Sequence, residues 1–290
     1  FLYYLSKYFI YFFVQKSSVG SDQPFINLTS LRKMKVPIPS LTEQQKIAAI
    51  LSTVDEQIST TDKIIEKSKE LKKGLMQKLF SEGIGHTEFK DTKIGRIPKD
   101  WEVKNLSDHF NVIDGDRGKN YPSSTDFYDE EYCLFLSAKN VTKNGFRFSQ
   151  VQFITKEKDK LLRKGKIERN DLILTTRGTV GNFAFYDSSV PFQNIRINSG
   201  MVMIRLKEGV YNKFLYQYFK SRYLDNQITQ IVSGSAQPQL TVRAINKIKL
   251  IVPPLQEQQK IAAILSEADA KIEKEQTQKA QLQALKKGLM

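Results

Sequence analysis

Four polar, glycine-bearing runs hold the side chains best suited to gripping an anionic or base-bearing ligand. Asp116-Arg-Gly-Lys-Asn-Tyr121 offers Arg117 and Lys119 to phosphate or guanine, Asn120 to adenine, and Tyr121 for stacking or a phosphate contact. The runs Thr175-Thr-Arg-Gly-Thr179, Gln193-Asn-Ile-Arg-Ile-Asn198 and Ser233-Gly-Ser-Ala-Gln237 add Arg177, Thr179, Asn194, Arg196 and Gln237. Arg, Asn and Gln carry the bidentate hydrogen-bonding geometry that reads base edges in a major groove, and glycine lets a backbone approach closely. The same residue types also build ordinary turns, and Arg177 or Arg196 would serve as well in a carboxylate pair.

Covalent chemistry finds no such support. In Asp114-Gly-Asp-Arg-Gly-Lys119 the leading glycine of a phosphate-binding P-loop would fall at Ile113, and Asn120 stands where a magnesium-binding Ser or Thr belongs. Gly83-Ile-Gly85 reaches Glu88 where a dinucleotide fingerprint needs its third glycine. Asp100-Trp-Glu-Val-Lys104 resembles the acidic triplet of metal-dependent nucleases, a pattern common in charged surface sequence. One cysteine, Cys133, and two histidines, His86 and His109, exclude an internal disulfide and a Cys/His zinc cluster. The expectation is recognition without catalysis and without a bound cofactor.

The charge agrees with an anionic partner. The 290 residues carry 45 basic and 31 acidic side chains, a net charge of +14, and 40% hydrophobic content excludes disorder as the main state. The excess is uneven: residues 42–82 hold 7 Lys and 7 acids, whereas 86–250 hold 27 Lys plus Arg against 18 acids. Nucleic acid is the candidate for the second stretch.

That stretch reads as mixed α and β structure. Apolar runs predict strands over 132–136, 151–154, 171–175, 183–186 and 201–205, and Phe214, Leu215, Tyr218 and Phe219 predict a helix over 213–222. The polar runs fall between these strands, where a rigid scaffold positions a binding loop.

An internal repeat organises the rest. Gly20-Ser-Asp-Gln-Pro24 returns as Gly234-Ser-Ala-Gln-Pro238, and the two stretches continue at a constant offset of 214. Glu43-Gln-Gln-Lys-Ile-Ala-Ala-Ile-Leu-Ser52 is identical to residues 257–266. Thr42 with Gln45 predicts a capping-box start, and Ile47, Leu51, Val54, Ile58, Ile65, Leu75 and Leu79 give a heptad-like spacing broken by Thr61, Ser68 and Lys72. A helix of roughly 40 residues is about 60 Å long and needs a partner. The second copy supplies it, with Ile261, Leu265, Ala268, Ile272, Leu282 and Leu289 on the matching face. The expected fold is α+β, a mixed globular unit flanked by two long helices that pair as an antiparallel coiled coil. Their repeated clusters, Glu43, Gln44 and Lys46 in one and Glu257, Gln258 and Lys260 in the other, would present like surfaces to two copies of one protein partner.

These residues carry a family likeness. The run from Pro37 through Leu51, its copy over 252–265, and Ile94-Gly-Arg-Ile-Pro-Lys-Asp-Trp101 resemble the conserved helices and the target-recognition-domain start of Type I restriction-modification specificity subunits. The resemblance implies recognition of half of a bipartite site in double-stranded DNA. It implies docking of two modification (methyltransferase) subunits that bind S-adenosylmethionine, and of restriction subunits that use ATP and magnesium. It implies no cofactor in this chain, no membrane, and a cytoplasmic setting. The domains it implies are a remnant of a first recognition domain at 1–36, a central helical region at 37–85, a second recognition domain at 86–250 and a distal helical region at 251–290.

Two alternatives differ in sequence. An adenine methyltransferase would need a cofactor-binding glycine motif and an Asn/Asp-Pro-Pro-aromatic tetrapeptide, and the sequence has neither. A helical scaffold that does not bind DNA would have no use for the charge on residues 101–250. With a repeat of 214 residues, a two-domain subunit would need about 430. The apolar opening 1–14 is then expected to be a helix parted from its strands, exposing Phe9, Ile10, Phe12 and Phe13 as one patch.

Overall fold

The computed structural model describes residues 1–8, 28–33, 35–232 and 239–290. The chain divides into two compact units, 1–72 with 268–290, and 73–267. Among the described residues no helix is long and apolar enough to cross a membrane.

The first unit is built on two long helices, α3 (Leu41–Ser81) and α9 (Leu255–Leu289), with helix α1, described over residues 2–8, and the short helix α2 (Leu28–Arg32) before them. The start of α3 lies two residues earlier than the Thr42/Gln45 pattern predicts. Ser40 donates its backbone N–H and its hydroxyl to Glu43 at 3.0 and 2.8 Å, and the Glu43 N–H returns to Ser40 Oγ at 3.4 Å. A carboxylate in the first turn also complements the helix dipole, which a glutamine does not.

Within this unit the seam of α3 runs through Leu51, Val54, Ile58, Thr61, Ile65 and Ser68, at alternating steps of three and four residues. On α9 the half-buried residues Ala268, Ile272, Glu275, Lys279, Leu282 and Lys286 repeat the same rhythm. Thr61 does not break the seam, because its hydroxyl donates to the Gln57 carbonyl at 2.9 Å and leaves the methyl to pack. Lys72 pairs with Asp269, Asp62 with Lys279, and Asp55 with Lys286. Ten and then seven residues back along α3 match ten and then seven forward along α9, so the pairing is antiparallel with one register. Tyr4 of α1 is buried against α3, its hydroxyl 3.1 Å from Ser52 Oγ. Phe9, Ile10, Phe12 and Phe13 lie outside the described residues.

The second unit opens with a hairpin, β1 (Phe89–Thr92) and β2 (Gly95–Pro98), and then β3 (Glu102–Asn105), α4 (Leu106–His109) and β4 (Phe110–Asp114). It continues through β5 (Cys133–Leu136), the small hairpin β6 (Val141–Thr142) and β7 (Gly145–Phe146), β8 (Phe153–Ile154) and α5 (Lys156–Leu161). Next come β9 (Leu172–Thr175), β10 (Phe183–Phe185), β11 (Ile195–Ile197) and β12 (Met201–Leu206). Helices α6 (Asn212–Phe219), α7 (Arg222–Val232) and α8 (Val242–Asn246) lead to β13 (Lys249–Val252), which pairs with β3 and feeds α9. The helix expected over 213–222 is therefore broken: the Ser221 hydroxyl donates to the Tyr218 carbonyl at 2.6 Å at the turn between α6 and α7.

An antiparallel sheet in the order β10-β9-β12-β4 forms the middle layer of this unit. Leu172, Leu174, Val202 and Ile204 face a core shared with α6, α7 and the helix ends, while Ile173, Met201 and Met203 face a second core beneath the sheet β11-β5-β8. Burial on both faces explains why β9 and β12 read as unbroken apolar runs. The last turn of α3 enters the first core, where the Phe80 ring meets Phe214 and Tyr218 edge-on at 5.6 Å each. Ile261, Ala262 and Leu265 of α9 enter the same core.

Two residues of the second repeat cluster are consumed by this packing. Glu257 Oε1 accepts from the Ile84 N–H at 2.8 Å and lies 2.9 Å from His86 Nε2, while Oε2 accepts from Trp101 Nε1 at 2.9 Å. Gln258, fully buried, accepts from the Tyr211 N–H at 2.7 Å and donates to the Pro253 and Gly209 carbonyls. The expectation that Glu257 and Gln258 face a protein partner is corrected: both are internal fasteners. Glu43 stays exposed as a cap, and Gln44 donates to the Pro39 carbonyl at 2.9 Å, as Gln258 does to Pro253. The divergence traces to one position, because Ser40, which occupies Glu43, is replaced in the second repeat by Pro254, which has neither an N–H nor a hydroxyl to give.

Glu257→Ala should destabilise the second unit by about 1–3 kcal/mol, because it strands the indole N–H of the fully buried Trp101, whereas the Ile84 amide, at an exposed residue, can turn to water. Glu43→Ala at the matching position should cost much less, as only a cap is lost, and thermal melting of the two variants checks the order. At the helix seam, Ile65→Ala should cost about 2–4 kcal/mol and the adjacent Ile64→Ala less than about 1, since Ile65 is 4% exposed and Ile64 is 39%. Equal losses at the two positions would contradict the seam.

Candidate nucleic-acid interface

Sheet register assembles the loops. In the antiparallel pairs of β12, Val202 lies opposite Asp114 of β4, and Met201 lies opposite Thr175 of β9. The residues that follow β4 and β9 and those that precede β12 therefore share one edge, which the end of β11 joins through Asn198. Gly115 makes the approach possible, because a Cβ there would lie 2.1 Å from the Asn198 carbonyl oxygen. Arg117 Nη2 donates to the Ser199 carbonyl at 3.1 Å. The Gly200 carbonyl accepts from the Thr176 N–H and hydroxyl and from the Arg177 N–H, at 2.8, 2.9 and 3.2 Å.

A further loop, 163–165, packs on this edge. Asp116 Oδ2 accepts from the Arg163 and Lys164 amides at 2.7 and 3.3 Å. Over residues 115–121, 163–165, 176–179 and 198–200 the sequence places Arg117, Lys119, Arg163, Lys164 and Arg177 against one acid, Asp116. All five cations are exposed and Asp116 is buried. An edge with this balance attracts phosphate and holds guanidinium groups on short tethers.

The sequence-expected residues separate into three groups. Arg117, Lys119, Asn120, Tyr121, Arg177 and Thr179 lie on the clustered loops. Asn120 Nδ2 donates to the Leu161 carbonyl at 3.2 Å. Tyr121 is half-buried edge-on against Phe135, and its hydroxyl accepts from the Ser199 N–H at 3.4 Å. Arg177 donates through Nη2 and Nε to the Gln239 amide oxygen, turned toward it, at 3.0 and 3.2 Å. Gln237 lies outside the described residues.

Arg196 and Asn194 are corrections. Arg196 is buried, and its guanidinium donates to Asp159 Oδ1 and to the carbonyls of Asp159, Leu162 and Lys164 at 2.5, 2.7, 3.0 and 2.6 Å. Burial alone would push the Asp159 carboxyl up; Lys166 and Arg196 more than offset this and hold it below its ordinary value. The pair is a clamp that fastens α5 and the 162–164 turn to β11; four of the five guanidinium N–H donors are spent there and the residue is buried, so Arg196 is not placed to meet a base. Asn194 precedes β11 while Asn198 follows it, and four residues of extended chain separate them by about 13 Å. Asn194 thus sits at the far end of the strand from the clustered loops. Arg163, Lys164, Asn198 and Gln239 belong to the edge without having been singled out from sequence. The signal for two of them was available in Arg163-Lys-Gly165, the same cation-glycine pattern as Arg117-Gly118 and Arg177-Gly178.

Comparison with known proteins agrees across most of the chain. Residues 1–70 and 98–284 match the family described as Type I restriction modification DNA specificity domain. The putative type I restriction enzyme MjaX specificity subunit of Methanocaldococcus jannaschii is 33% identical over 298 residues, covering 100% of this chain and 66% of that protein. The MjaVIII specificity subunit of the same organism is 29% identical, over 96% of this chain and 65% of that one. The chain thus spans about two thirds of the length of these relatives. Among solved structures, the Type I restriction-modification S subunit from M. genitalium superposes with a TM-score of 0.64 at 19% identity, over 99% of this chain and 70% of that one. The HsdS subunit from Thermoanaerobacter tengcongensis gives 0.56 at 17% identity, over 99% of this chain and 67% of that one. With a globular α+β unit, a duplicated antiparallel helix pair and family-wide similarity along nearly its whole length, the chain belongs to the Type I restriction-modification DNA specificity family.

Proposed function

We propose that the second unit reads one half of a two-part DNA site, as the non-catalytic recognition component of a Type I restriction-modification complex. The observation that carries this reading is the loop edge, where five exposed cations stand on separate loops and the one acid among them is buried. Family membership supports the same assignment. On this reading residues 86–250 are a recognition domain, 37–85 and 251–290 are helical regions, and 1–36 end a preceding recognition domain. The chain holds no cofactor of its own. Modification subunits carry S-adenosylmethionine, and restriction subunits, where present, use ATP and magnesium.

Lys46 and Lys260 remain as the partner-facing residues of the repeated clusters. Each is exposed at the same repeat position, on a helix whose neighbouring Gln is turned inward. Glu43 stays exposed beside Lys46, whereas Glu257 does not reach a partner.

Selection of bound duplexes from a random pool should yield one preferred half-site. Arg117→Ala, Arg163→Ala or Arg177→Ala should then cost about 1–3 kcal/mol at the preferred sequence and relax one base position where the side chain reads guanine. A side chain that only meets phosphate should weaken all sequences alike and lower the salt slope by about one. Unchanged affinity and preference after replacing all three would overturn the proposal. Reversing Lys46 and Lys260 to Glu should impair capture of the modification subunit without lowering the melting temperature; intact capture would count against that surface.

A further inference from the structure

Asp116 is a buried carboxylate, 6% exposed, among residues whose cationic side chains are exposed. Its two oxygens serve different loops. Oδ1 accepts from the Gly118 N–H at 2.6 Å, within its own loop, and Oδ2 accepts from the Arg163 and Lys164 amides, 47 and 48 residues along the chain. The side chain is thus a bridge between two loops and not only the anchor of a local turn. A carboxylate suits this place because it accepts with both oxygens, whereas an asparagine would turn an NH2 group toward one set of donors. Burial alone would raise the carboxyl, yet the amides of Gly118, Arg163 and Lys164, with the nearby Arg163 charge, hold it below its ordinary value. The acceptor therefore remains ionised at neutral pH.

Arg163 folds over the same loop. A Cβ on Gly118 would lie 2.8 Å from Arg163 Nη2 and 3.1 Å from Asp116 Oδ1. The bare glycine leaves the channel through which the guanidinium passes. Backbone anchoring by Asp116 and the missing side chain at residue 118 act on the placement of one pair, Arg117 and Arg163. Placement matters unequally for the two kinds of DNA contact. A bidentate guanidinium-base contact tolerates errors of only about 0.5 Å, whereas attraction to phosphate acts over a Debye length.

We propose that Asp116 is a positioning residue for base reading: it ties the 116–118 and 163–164 backbones together so that Arg117 and Arg163 are presented in one fixed arrangement. This rests on the DNA-reading role proposed for the second unit. It predicts an effect opposite in sign to simple electrostatics. Neutralising a bystander acid beside a polyanion would tighten binding or leave it unchanged, whereas losing a positioning group weakens binding to the preferred sequence.

The test compares the full-length chain with Asp116→Asn and Gly118→Ala, using the duplex selected by the wild type and a scrambled duplex of equal length. For Asp116→Asn the ratio of selected to scrambled affinity should fall about tenfold to a hundredfold, with affinity for the scrambled duplex within about twofold of wild type and the salt slope preserved. Gly118→Ala keeps the Asp116 carboxylate and chiefly displaces the flexible end of Arg163, with Asp116 Oδ1 crowded by only a few tenths of an ångström, so it should lower the same ratio with little fall in melting temperature. As a control for destabilisation alone, Asp171→Asn removes a carboxylate that pairs with Arg205, in residues outside the clustered loops, and should lower the melting temperature but not the ratio. Unchanged or tighter selective binding in Asp116→Asn, or an unchanged ratio in Gly118→Ala, overturns the proposal. Failure of the wild type to select any sequence overturns the DNA-reading role on which it rests.

Discussion

A helix as long as α3 cannot bury its own apolar seam, and the rest of the chain is arranged around that constraint. The sequence meets it by duplication, supplying a second copy of the same helix that returns antiparallel. Within the helical unit, Lys72–Asp269 and Lys286–Asp55 are one pair written twice, since Lys72 and Lys286, and Asp55 and Asp269, occupy matching repeat positions. Such pairs add little stability at a partly wet seam, and their value lies in fixing register. The third pair, Asp62 with Lys279, has no such copy, because the repeat places Ile65 opposite Lys279 in sequence and Gln276 opposite Asp62. In the same register two copies of α9 would set Lys279 against Gln276, and two copies of α3 would set Asp62 against Ile65, so this ion pair forms only between the two different helices. The asymmetry favours pairing of one helix with the other over pairing of like with like.

Identical sequence does not impose identical environment. Ile47 is exposed and Ile261 is fully buried, although each stands in the same ten-residue run. Local sequence determines that both runs are helical, and the packed neighbours determine which side chains disappear. Glu43 and Glu257 show this most plainly, the one capping its own helix and the other gathering donors from three distant residues. The repeat alone suggested equal surfaces for equal partners, and it misled at Glu257 and Gln258 because it could not show what had come to cover them.

The strands and helices with long apolar runs were legible, because β9, β10 and β12 are buried on both faces and carry no ambiguity of period. Strand β11 was not. Ile195 and Ile197 alternate with Arg196 as a strand requires, but three residues between polar neighbours look like a loop until Asp159 is found to hold the arginine. Clustering of the loops depended on strand order, with β12 between β9 and β4, which no local pattern specifies. That order turned Arg163 and Lys164, which follow the charged helix α5, into neighbours of Arg117. It also removed Asn194 to the other end of its strand.

The proposed DNA-reading role sets the loops gathered by β4, β9, β11 and β12 against DNA. Amide hydrogen exchange of the full chain, with and without a duplex bound in excess, tests it most directly, since it reports contact along the whole backbone without altering a residue. Exchange should slow over 115–121, 163–165, 176–179 and 198–200, and change little over 126–132 and 187–194. Protection confined to the latter segments, or to the long helices alone, would contradict that role.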